Sequence, residues 1–326
     1  MDVADLDYSL PEAAIAQEPP AHREDARLLV DRGPGHEPEH RTAADLPTLL
    51  RPGDLLVVND TRVLPARLHL HKETGGAVEV LLLEQLEDGN WEALLRPSRR
   101  MAPGLRLVGP DDLCVEVVSA RGDGRWSVRV EGDLERAGEM PLPPYIHTPL
   151  RDPDRYQTVF ARRPASAAAP TAGLHLTHAL LDQCRANGIE IATVELAVGL
   201  DTFRPVTTER LEDHPMHSEA YEVSEQTLDA CRAASRVVAV GTTVVRALES
   251  AAVNGSTSGR TTLFITPGFE FQIVDVLLTN FHLPRTTLLA MIEAFVGPRW
   301  RELYEIALRD GYRFLSFGDA MLLERA

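Results

Sequence analysis

The stretch Asp54-Leu55-Leu56-Val57-Val58-Asn59 decides the fold, because it places an unbroken aliphatic run between two polar residues. An apolar run of this length is typical of a strand buried on both faces, as in a sheet covered by helices. In such sheets the carboxyl ends of the strands commonly carry the ligand contacts. We therefore expect a binding site at the end of this strand, formed by Asn59, Asp60, Thr61 and Arg62.

Helix and strand patterns alternate on the carboxyl-terminal side of the chain. Amphipathic helices are predicted over 177–187 and 225–235, each followed by an apolar strand. The strand at 237–240 runs directly into a third helix at 242–252, and a further strand is predicted at 261–265. This alternation is typical of an α/β domain.

Short β patterns fill the segment from residue 67 to residue 150. They recur about every 8–12 residues and are separated by turn signals such as Gly75-Gly76, which is typical of a small antiparallel barrel or sandwich. The sequence therefore predicts an α/β main domain, formed by residues 1–66 and 151–326, with an inserted small antiparallel β-barrel domain over 67–150.

Composition limits the function classes. The 326 residues include 33 Lys and Arg against 49 Asp and Glu, a formal net charge of −16. Such a protein repels polyanions as a whole, so any contact with nucleic acid requires a local basic patch. Lys72 is the only lysine, and it lies outside any phosphate-loop pattern. This argues against a P-loop NTPase and against a pyridoxal enzyme.

The cysteines and the chain start indicate the compartment. Cys114, Cys184 and Cys231 are far apart and show no C-x-x-C pattern, so we expect reduced core residues. No apolar run approaches the roughly 18 residues of a membrane span. The first residues are acidic, unlike those of a signal peptide. We therefore predict a cytoplasmic protein with no membrane partner.

Two segments carry side chains suited to chemistry. Gly241-Thr242-Thr243 lies between a strand and a helix, where free backbone N–H groups suit a carboxylate or phosphate, although a Thr-capped helix has the same pattern. In a strand, His217, Glu219 and Tyr221 would share one face and could exchange protons. No third ligand follows at a recognised metal spacing, so we predict no metal site.

Two loops add candidates. The small-residue segment before His175 would let a ligand approach the backbone at Thr171 and Gly173, although an Ala-rich lead-in to a helix has the same pattern. The polar and aromatic loop before the last apolar helix contributes Asn280 and His282, although structural loop residues have the same pattern. Composition and spacing alone predict a two-domain α/β enzyme of unknown substrate.

Taken in order, long stretches of the chain resemble the S-adenosylmethionine:tRNA ribosyltransferase-isomerase family of queuosine biosynthesis. The stretches that carry the resemblance are 8–11, 50–68, 155–161, 168–175, 216–221, 240–243, 279–284 and 317–322. They cover nearly the whole chain, and so many stretches in one order are more specific than any single motif.

The resemblance implies an unusual reaction. The ribosyl part of S-adenosylmethionine is transferred to 7-aminomethyl-7-deazaguanine in tRNA and isomerised to epoxyqueuosine, with release of adenine and methionine. S-adenosylmethionine is then a substrate, and no further cofactor is expected. Its sulfonium acidifies the adjacent 5′ carbon, so a positioned base can start adenine elimination. The implied partners are S-adenosylmethionine and tRNA that carries the aminomethyl base.

The resemblance also implies residue roles within the α/β domain. The acid/base candidates, with individual roles open, are Glu219, His217, His175 and His282. The methionine carboxylate would be held by Gly241, Thr242, Thr243 and Arg246. The nucleoside pocket would be lined by Asn59, Thr61, Arg62 and Asn280, with Thr171 and Gly173 as further binding candidates. The tRNA phosphates would face Arg96, Arg99 and Arg100 of the inserted unit.

Three positions depart from the family pattern. Ala165 and Asp201 stand where Gly is usual, and Ala197 stands where His is usual. A carboxylate at position 201 adds bulk and negative charge near the expected ligand loop. Two alternatives therefore stay open: the same sulfonium chemistry on a free deazapurine or other small amine, and a catalytically silent homologue that only binds.

Overall fold

The computed structural model describes residues 1–122, 124–199, 205–216 and 218–326. The strands of these residues are β1 (Arg27–Asp31), β2 (Glu39–Thr42), β3 (Asp54–Asn59), β4 (Thr61–Val63), β5 (Arg67–Lys72), β6 (Ala77–Gln85), β7 (Trp91–Arg96), β8 (Arg106–Val108), β9 (Cys114–Gly122), β10 (Arg125–Glu131), β11 (Arg163–Ser166), β12 (Glu190–Leu196), β13 (Glu219–Glu222), β14 (Arg236–Val240), β15 (Ser258–Thr261), β16 (Val276–Asn280) and β17 (Ala320–Glu324). The α-helices are α1 (Leu46–Leu49), α2 (Leu134–Ala137), α3 (His178–Ala186), α4 (Glu225–Ala233), α5 (Thr242–Asn254), α6 (Thr287–Val296) and α7 (Trp300–Arg309).

The strand β3 lies inside a nine-stranded sheet, as its apolar sequence predicts. The strand order is β15-β13-β12-β3-β14-β16-β17-β1-β2. The central strands β12, β3, β14 and β16 run parallel to one another. The strand β17 is antiparallel to β16 and parallel to β1, so the sheet is mixed around a parallel centre.

The aliphatic run of β3 divides between two cores. Leu55 and Val57 pack in one core with α5, α6 and α7, whereas Leu56 and Val58 pack in the other core with α1 and α3. All four side chains are at most 2% exposed. Full burial of such a side chain stabilises a fold by roughly 1.5–3 kcal/mol, so both helix layers are needed. The predicted α/β architecture is confirmed.

The inserted unit is a closed antiparallel barrel with the strand order β10-β7-β6-β5-β8-β9. Its interior is filled by one or more buried aliphatic residues from every strand, among them Leu68, Val80, Leu95, Leu107, Val115 and Val128. Arg260 of β15 binds both carboxylate oxygens of Glu84 on β6, at 2.6 and 3.1 Å, and so ties the barrel to the edge of the large sheet. The predicted barrel is confirmed, and the domain boundaries stay a prediction.

One predicted strand is displaced. The structure places β15 at Ser258–Thr261, so the prediction of a strand over 261–265 is wrong beyond its first residue. The pairing of β15 with β13 ends at Thr261, and the Thr261 hydroxyl accepts the Leu263 N–H at 3.0 Å, so a side chain takes a donor that a continued strand could use in the sheet. The described helices include none that is long and apolar enough to cross a membrane.

Candidate functional site

Two adjoining cavities lie at the carboxyl ends of the parallel strands β12, β14 and β16. Cavity 1, of about 980 Å³, lies between the barrel and the α/β domain, and its lining includes Glu84, Glu92, Arg125, Ala197, Glu219 and Arg246. Cavity 2, of about 590 Å³, has a lining that includes Tyr145, Thr171, Asn280, His282, Leu283 and Leu315. Val198, Thr242, Thr243 and Leu288 line both. The cavities therefore form one site with two compartments.

The amino end of α5 lies at the junction of the two cavities. Gly241 joins β14 to this helix with a φ of 92°, a conformation that residues with a side chain rarely adopt. Among the described residues no side chain caps this helix, and the first N–H groups of any helix lack an intrahelical acceptor. Since α5 has 13 residues, its positive dipole end offers a good place for a carboxylate.

Arg246, one turn further along α5, forms a buried ion pair with Glu219. The second Glu219 oxygen accepts the Gly199 N–H at 3.0 Å, and Arg246 Nε donates to the Leu263 carbonyl at 3.2 Å. Arg246 is only 8% exposed, and its Nη2 has no hydrogen-bond partner among the described residues. A buried donor without an acceptor is costly, so a ligand oxygen in cavity 1 would complete this arrangement.

Cavity 2 differs from cavity 1 in charge. Its described lining includes no acidic or basic side chain other than His282. Burial lowers the pKa of His282 to about 3, so this imidazole is neutral at physiological pH, and its Nε2 lies 3.0 Å from the Thr279 hydroxyl. Cavity 2 therefore suits an uncharged group with polar edges.

Asn280 connects cavity 2 to a second buried imidazole. Its Oδ1 accepts the Thr171 hydroxyl at 2.8 Å, and its Nδ2 lies 3.2 Å from His175 Nε2. Burial, with smaller contributions from Arg313 and Arg23, lowers the pKa of His175 to about 4. His175 is therefore neutral at physiological pH, and it lies behind Asn280 rather than in the cavity lining.

The two buried imidazoles predict a pH-dependent stability. Their pKa is about 6.5 in the unfolded chain and about 4 and 3 in the fold, so the unfolded state binds more protons as the pH falls below 6.5. Between pH 7 and pH 5 we expect each imidazole to lower the free energy of unfolding by roughly 2 kcal/mol. Urea denaturation of the His282→Gln variant should show a shallower loss than wild type over this interval. The His22→Gln variant, changed at an exposed residue, should lose as much free energy of unfolding between pH 7 and pH 5 as wild type does. An equal loss in the His22→Gln and His282→Gln variants would contradict the lowered pKa of His282.

The structure brings together most of the predicted α/β residues. Those that line the cavities are Thr171, Glu219, Gly241, Thr242, Thr243, Arg246, Asn280 and His282. His217 and Asp201 lie outside the described residues. Ala197, one of the departures from the family pattern, lines cavity 1.

Other predicted binding residues have structural contacts instead. Asn59 is 1% exposed, and its side chain bonds to both the N–H and the carbonyl of Leu196 on the neighbouring strand. Thr61 Oγ1 accepts the Ser166 hydroxyl at 2.9 Å, and Arg62 projects to solvent. At Gly173 an added Cβ would lie 2.8 Å from the Phe160 ring. These four residues lie outside the lining of both cavities, and their contact with a ligand stays a prediction.

Sequence reasoning missed the barrel wall of cavity 1. Glu84 and Glu92 pair across β6 and β7, and Arg125 Nη1 lies 2.7 Å from Glu92 Oε2. These residues belong to ordinary alternating strands, and their place in the site depends on how the barrel docks against β15. The local sequence contains no signal for that docking.

The predicted tRNA-binding arginines form an exposed loop at the end of β7. Arg96, Arg99 and Arg100 are all exposed, and the Arg100 carbonyl accepts a hydrogen bond from Lys72 Nζ at 3.1 Å. Glu92, near the start of β7, lines cavity 1, and Arg96 at the end of β7 lies about 13 Å further along the same strand.

Metal ligands do not cluster in the described ranges: no group of three or more His, Cys, Asp or Glu side chains could hold an ion there.

The chain is similar to proteins of one family over its whole length. The family model described as queuosine biosynthesis protein matches residues 3–323. An S-adenosylmethionine:tRNA ribosyltransferase-isomerase from Rubrobacter xylanophilus is 53% identical over 99% of this chain and 98% of its own. The protein of that name from Thermus thermophilus is 49% identical over 97% of this chain and 98% of its own. The crystal structure of S-adenosylmethionine tRNA ribosyltransferase from Thermotoga maritima, 36% identical, covers 98% of this chain and 99% of that one with a TM-score of 0.57.

Proposed function

The chain belongs to the queuosine biosynthesis family of ribosyltransferase-isomerases, and on that premise we propose that it transfers the ribosyl part of S-adenosylmethionine to 7-aminomethyl-7-deazaguanine in tRNA. The transferred group is isomerised to give epoxyqueuosine, and adenine and methionine are released. The observation that carries this proposal is the division of the site into a charged and an uncharged compartment that meet at the amino end of α5. S-adenosylmethionine has the same division, with a zwitterionic methionine and a neutral adenine.

Methionine binds in cavity 1. Its carboxylate accepts hydrogen bonds from Arg246 Nη2 and from the free N–H groups at the start of α5. Its ammonium is attracted by the Glu219 carboxylate, which the Gly199 N–H and Arg246 hold in place. Charge-assisted bonds of this kind are roughly twice as strong as neutral ones, so they fix the tail of the substrate firmly.

Adenine binds in cavity 2, against apolar side chains such as Leu283 and Leu315. The ribose and the sulfonium then lie at the junction, between Glu219 and His282. Both side chains stay acid/base candidates. Burial lowers the pKa of His282 to about 3, so the imidazole is neutral at physiological pH and does not act as an imidazolium acid. S-adenosylmethionine acts as the substrate, without a further cofactor.

The tRNA base reaches cavity 1 from the side of the barrel. Glu84, Glu92 and Arg125 form the barrel wall of that cavity, so the acceptor amine enters between the two units. The exposed loop with Arg96, Arg99 and Arg100 binds phosphates further along the RNA. A local patch of this kind lets an acidic protein bind a polyanion.

The test is a product assay by mass spectrometry with matched acceptors. We expect adenine and methionine to be released together only when tRNA with the aminomethyl base is present, and that tRNA to gain the mass of the transferred group. Release that is unaffected by omitting tRNA would count against the proposal. Turnover of the free base with none on tRNA would select the small-amine alternative, and substrate binding without any adenine release would select the silent homologue.

The basic loop gives a separate prediction. Replacement of both Arg99 and Arg100 by Ala should weaken tRNA binding and reduce the slope of log K against log salt by about 1 to 2, because two phosphate contacts are lost. S-adenosylmethionine binding should stay unchanged. Filter binding at several salt concentrations and calorimetry measure the two quantities, with Arg185→Ala on α3 as the matched exposed control. Equal losses for both ligands would show that the tRNA face lies elsewhere.

A further inference from the structure

The side-chain amide of Asn280 is held in one orientation. Its Nδ2 donates to the Asp319 backbone carbonyl at 3.3 Å, and a carbonyl oxygen can only accept. The second neighbour of Nδ2 is His175 Nε2, at 3.2 Å, on an imidazole that is neutral and can accept. The amide oxygen must therefore point the other way, towards Thr171.

This orientation determines what Thr171 can offer to a ligand. Its hydroxyl lies 2.8 Å from Asn280 Oδ1, and because that oxygen only accepts, Thr171 must donate its single proton there. What remains on the Thr171 oxygen is acceptor capacity. Since Thr171 lines cavity 2, a ligand group placed against it must bring an N–H or O–H of its own.

Two other threonine hydroxyls in the lining of cavity 2 are already engaged. The Thr286 hydroxyl donates to the Leu283 carbonyl at 2.8 Å and accepts the Leu289 N–H at 3.3 Å. The Thr279 hydroxyl pairs with His282 Nε2 at 3.0 Å. Thr242 and Thr243 also line cavity 2, at its junction with cavity 1. Thr171 differs from them because its hydroxyl proton is committed to the side-chain amide of Asn280, which leaves its oxygen as an acceptor towards the cavity.

We propose that Thr171 is a specificity-determining residue that accepts a hydrogen bond from the exocyclic amine of adenine, and that Asn280 is the positioning residue that makes Thr171 an acceptor. The inference rests on the proposed function and extends it by stating which purines the site takes. A 6-oxo purine presents a carbonyl where adenine presents its amine, so two acceptors would face each other. The site should therefore reject the 6-oxo analogue of S-adenosylmethionine by roughly 10- to 100-fold.

Calorimetry with S-adenosylmethionine and its 6-oxo analogue tests the inference on the intact protein. Wild type should bind S-adenosylmethionine at least roughly tenfold more tightly than the 6-oxo analogue. Thr171→Val keeps the shape and removes the hydroxyl, so it should weaken S-adenosylmethionine binding and bring the ratio of the two Kd values close to one. Thr171→Ser keeps the hydroxyl and should preserve the wild-type ratio.

The Asn280→Leu variant tests the positioning role. Without the amide oxygen, the Thr171 hydroxyl can rotate and donate, so the ratio of the Kd values should fall even where S-adenosylmethionine still binds. A merely structural role would change both Kd values together. If this variant does not fold, the Thr171→Val and Thr171→Ser pair decides alone.

The outcomes separate this inference from the proposed function. A wild-type ratio near one, or a ratio that Thr171→Val leaves unchanged while tRNA-dependent adenine release persists, would overturn the inference alone. Wild-type protein that neither binds S-adenosylmethionine nor releases adenine would overturn both.

Discussion

Replacement of Arg246 by Gln is expected to raise the Kd for S-adenosylmethionine by at least roughly 30-fold, the equivalent of about 2 kcal/mol. Arg246 is buried, its Nη2 lacks a partner among the described residues, and it lies one turn from the free end of α5. A carboxylate bound there gains both a charge-assisted bond and the helix dipole, and the variant loses the first of these. Calorimetry on the purified variant measures the loss, with Arg232→Gln on the exposed face of α4 as the control.

The same change also affects folding, and a second variant separates the two effects. Loss of Arg246 removes one partner of a buried ion pair, which typically costs about 3–5 kcal/mol of stability. The double variant with Arg246→Met and Glu219→Gln removes both charges and should recover part of that loss in urea denaturation, without recovering binding. Wild-type affinity in the double variant would contradict the carboxylate site.

Replacement of Glu249 by Ala should lower the free energy of unfolding by at least about 3 kcal/mol. Glu249 is 0% exposed, and its carboxylate accepts the backbone N–H groups of Gln272, Ile273 and Val274 at 2.8, 3.1 and 3.0 Å. The change leaves these three donors without their acceptor, each at a cost of roughly 1–3 kcal/mol. Urea denaturation measures the loss.

A matched control on another helix makes the Glu249 prediction specific. Glu305 of α7 is exposed, and its replacement by Ala should change stability by less than about 0.5 kcal/mol. Equal stability of the two variants would show that the carboxylate of Glu249 contributes nothing. The conservative Glu249→Gln variant keeps one acceptor oxygen, so its free energy of unfolding should fall less than that of Glu249→Ala.

Local pattern was sufficient to predict most of the fold. The aliphatic run of β3 can be buried on both faces only between two layers of helices, and the spacing of the short strands over 67–150 leaves few alternatives to a barrel. The resemblance to the ribosyltransferase-isomerase family is confirmed by the family match and by relatives near 50% identity.

The site was harder to predict, because it depends on contacts between residues far apart in the chain. Asn59 ends a strand, as expected of a ligand contact, yet the neighbouring strand β12 takes up its side chain. His175 lies outside the lining of both cavities, with its Nε2 3.2 Å from Asn280 Nδ2, so its role in proton exchange stays a prediction. Glu84 and Glu92 reach the site because the barrel docks against the sheet edge, where Arg260 binds Glu84. None of these long-range contacts can be predicted from the local sequence.

The position of β17 determines when the large sheet can form during synthesis of the chain. This strand follows every other described strand in the sequence, and it is inserted between β16 and β1 in the interior of the large sheet. The barrel strands, all within residues 67–131, can pair as soon as they have been synthesised, whereas β1 and β2 stay separated from the rest of the sheet until residues 320–324 are free. During synthesis, the edges of β1 and β16 therefore stay unpaired until β17 is available. A chain truncated just before residue 320 should keep these unpaired edges and should be prone to aggregation.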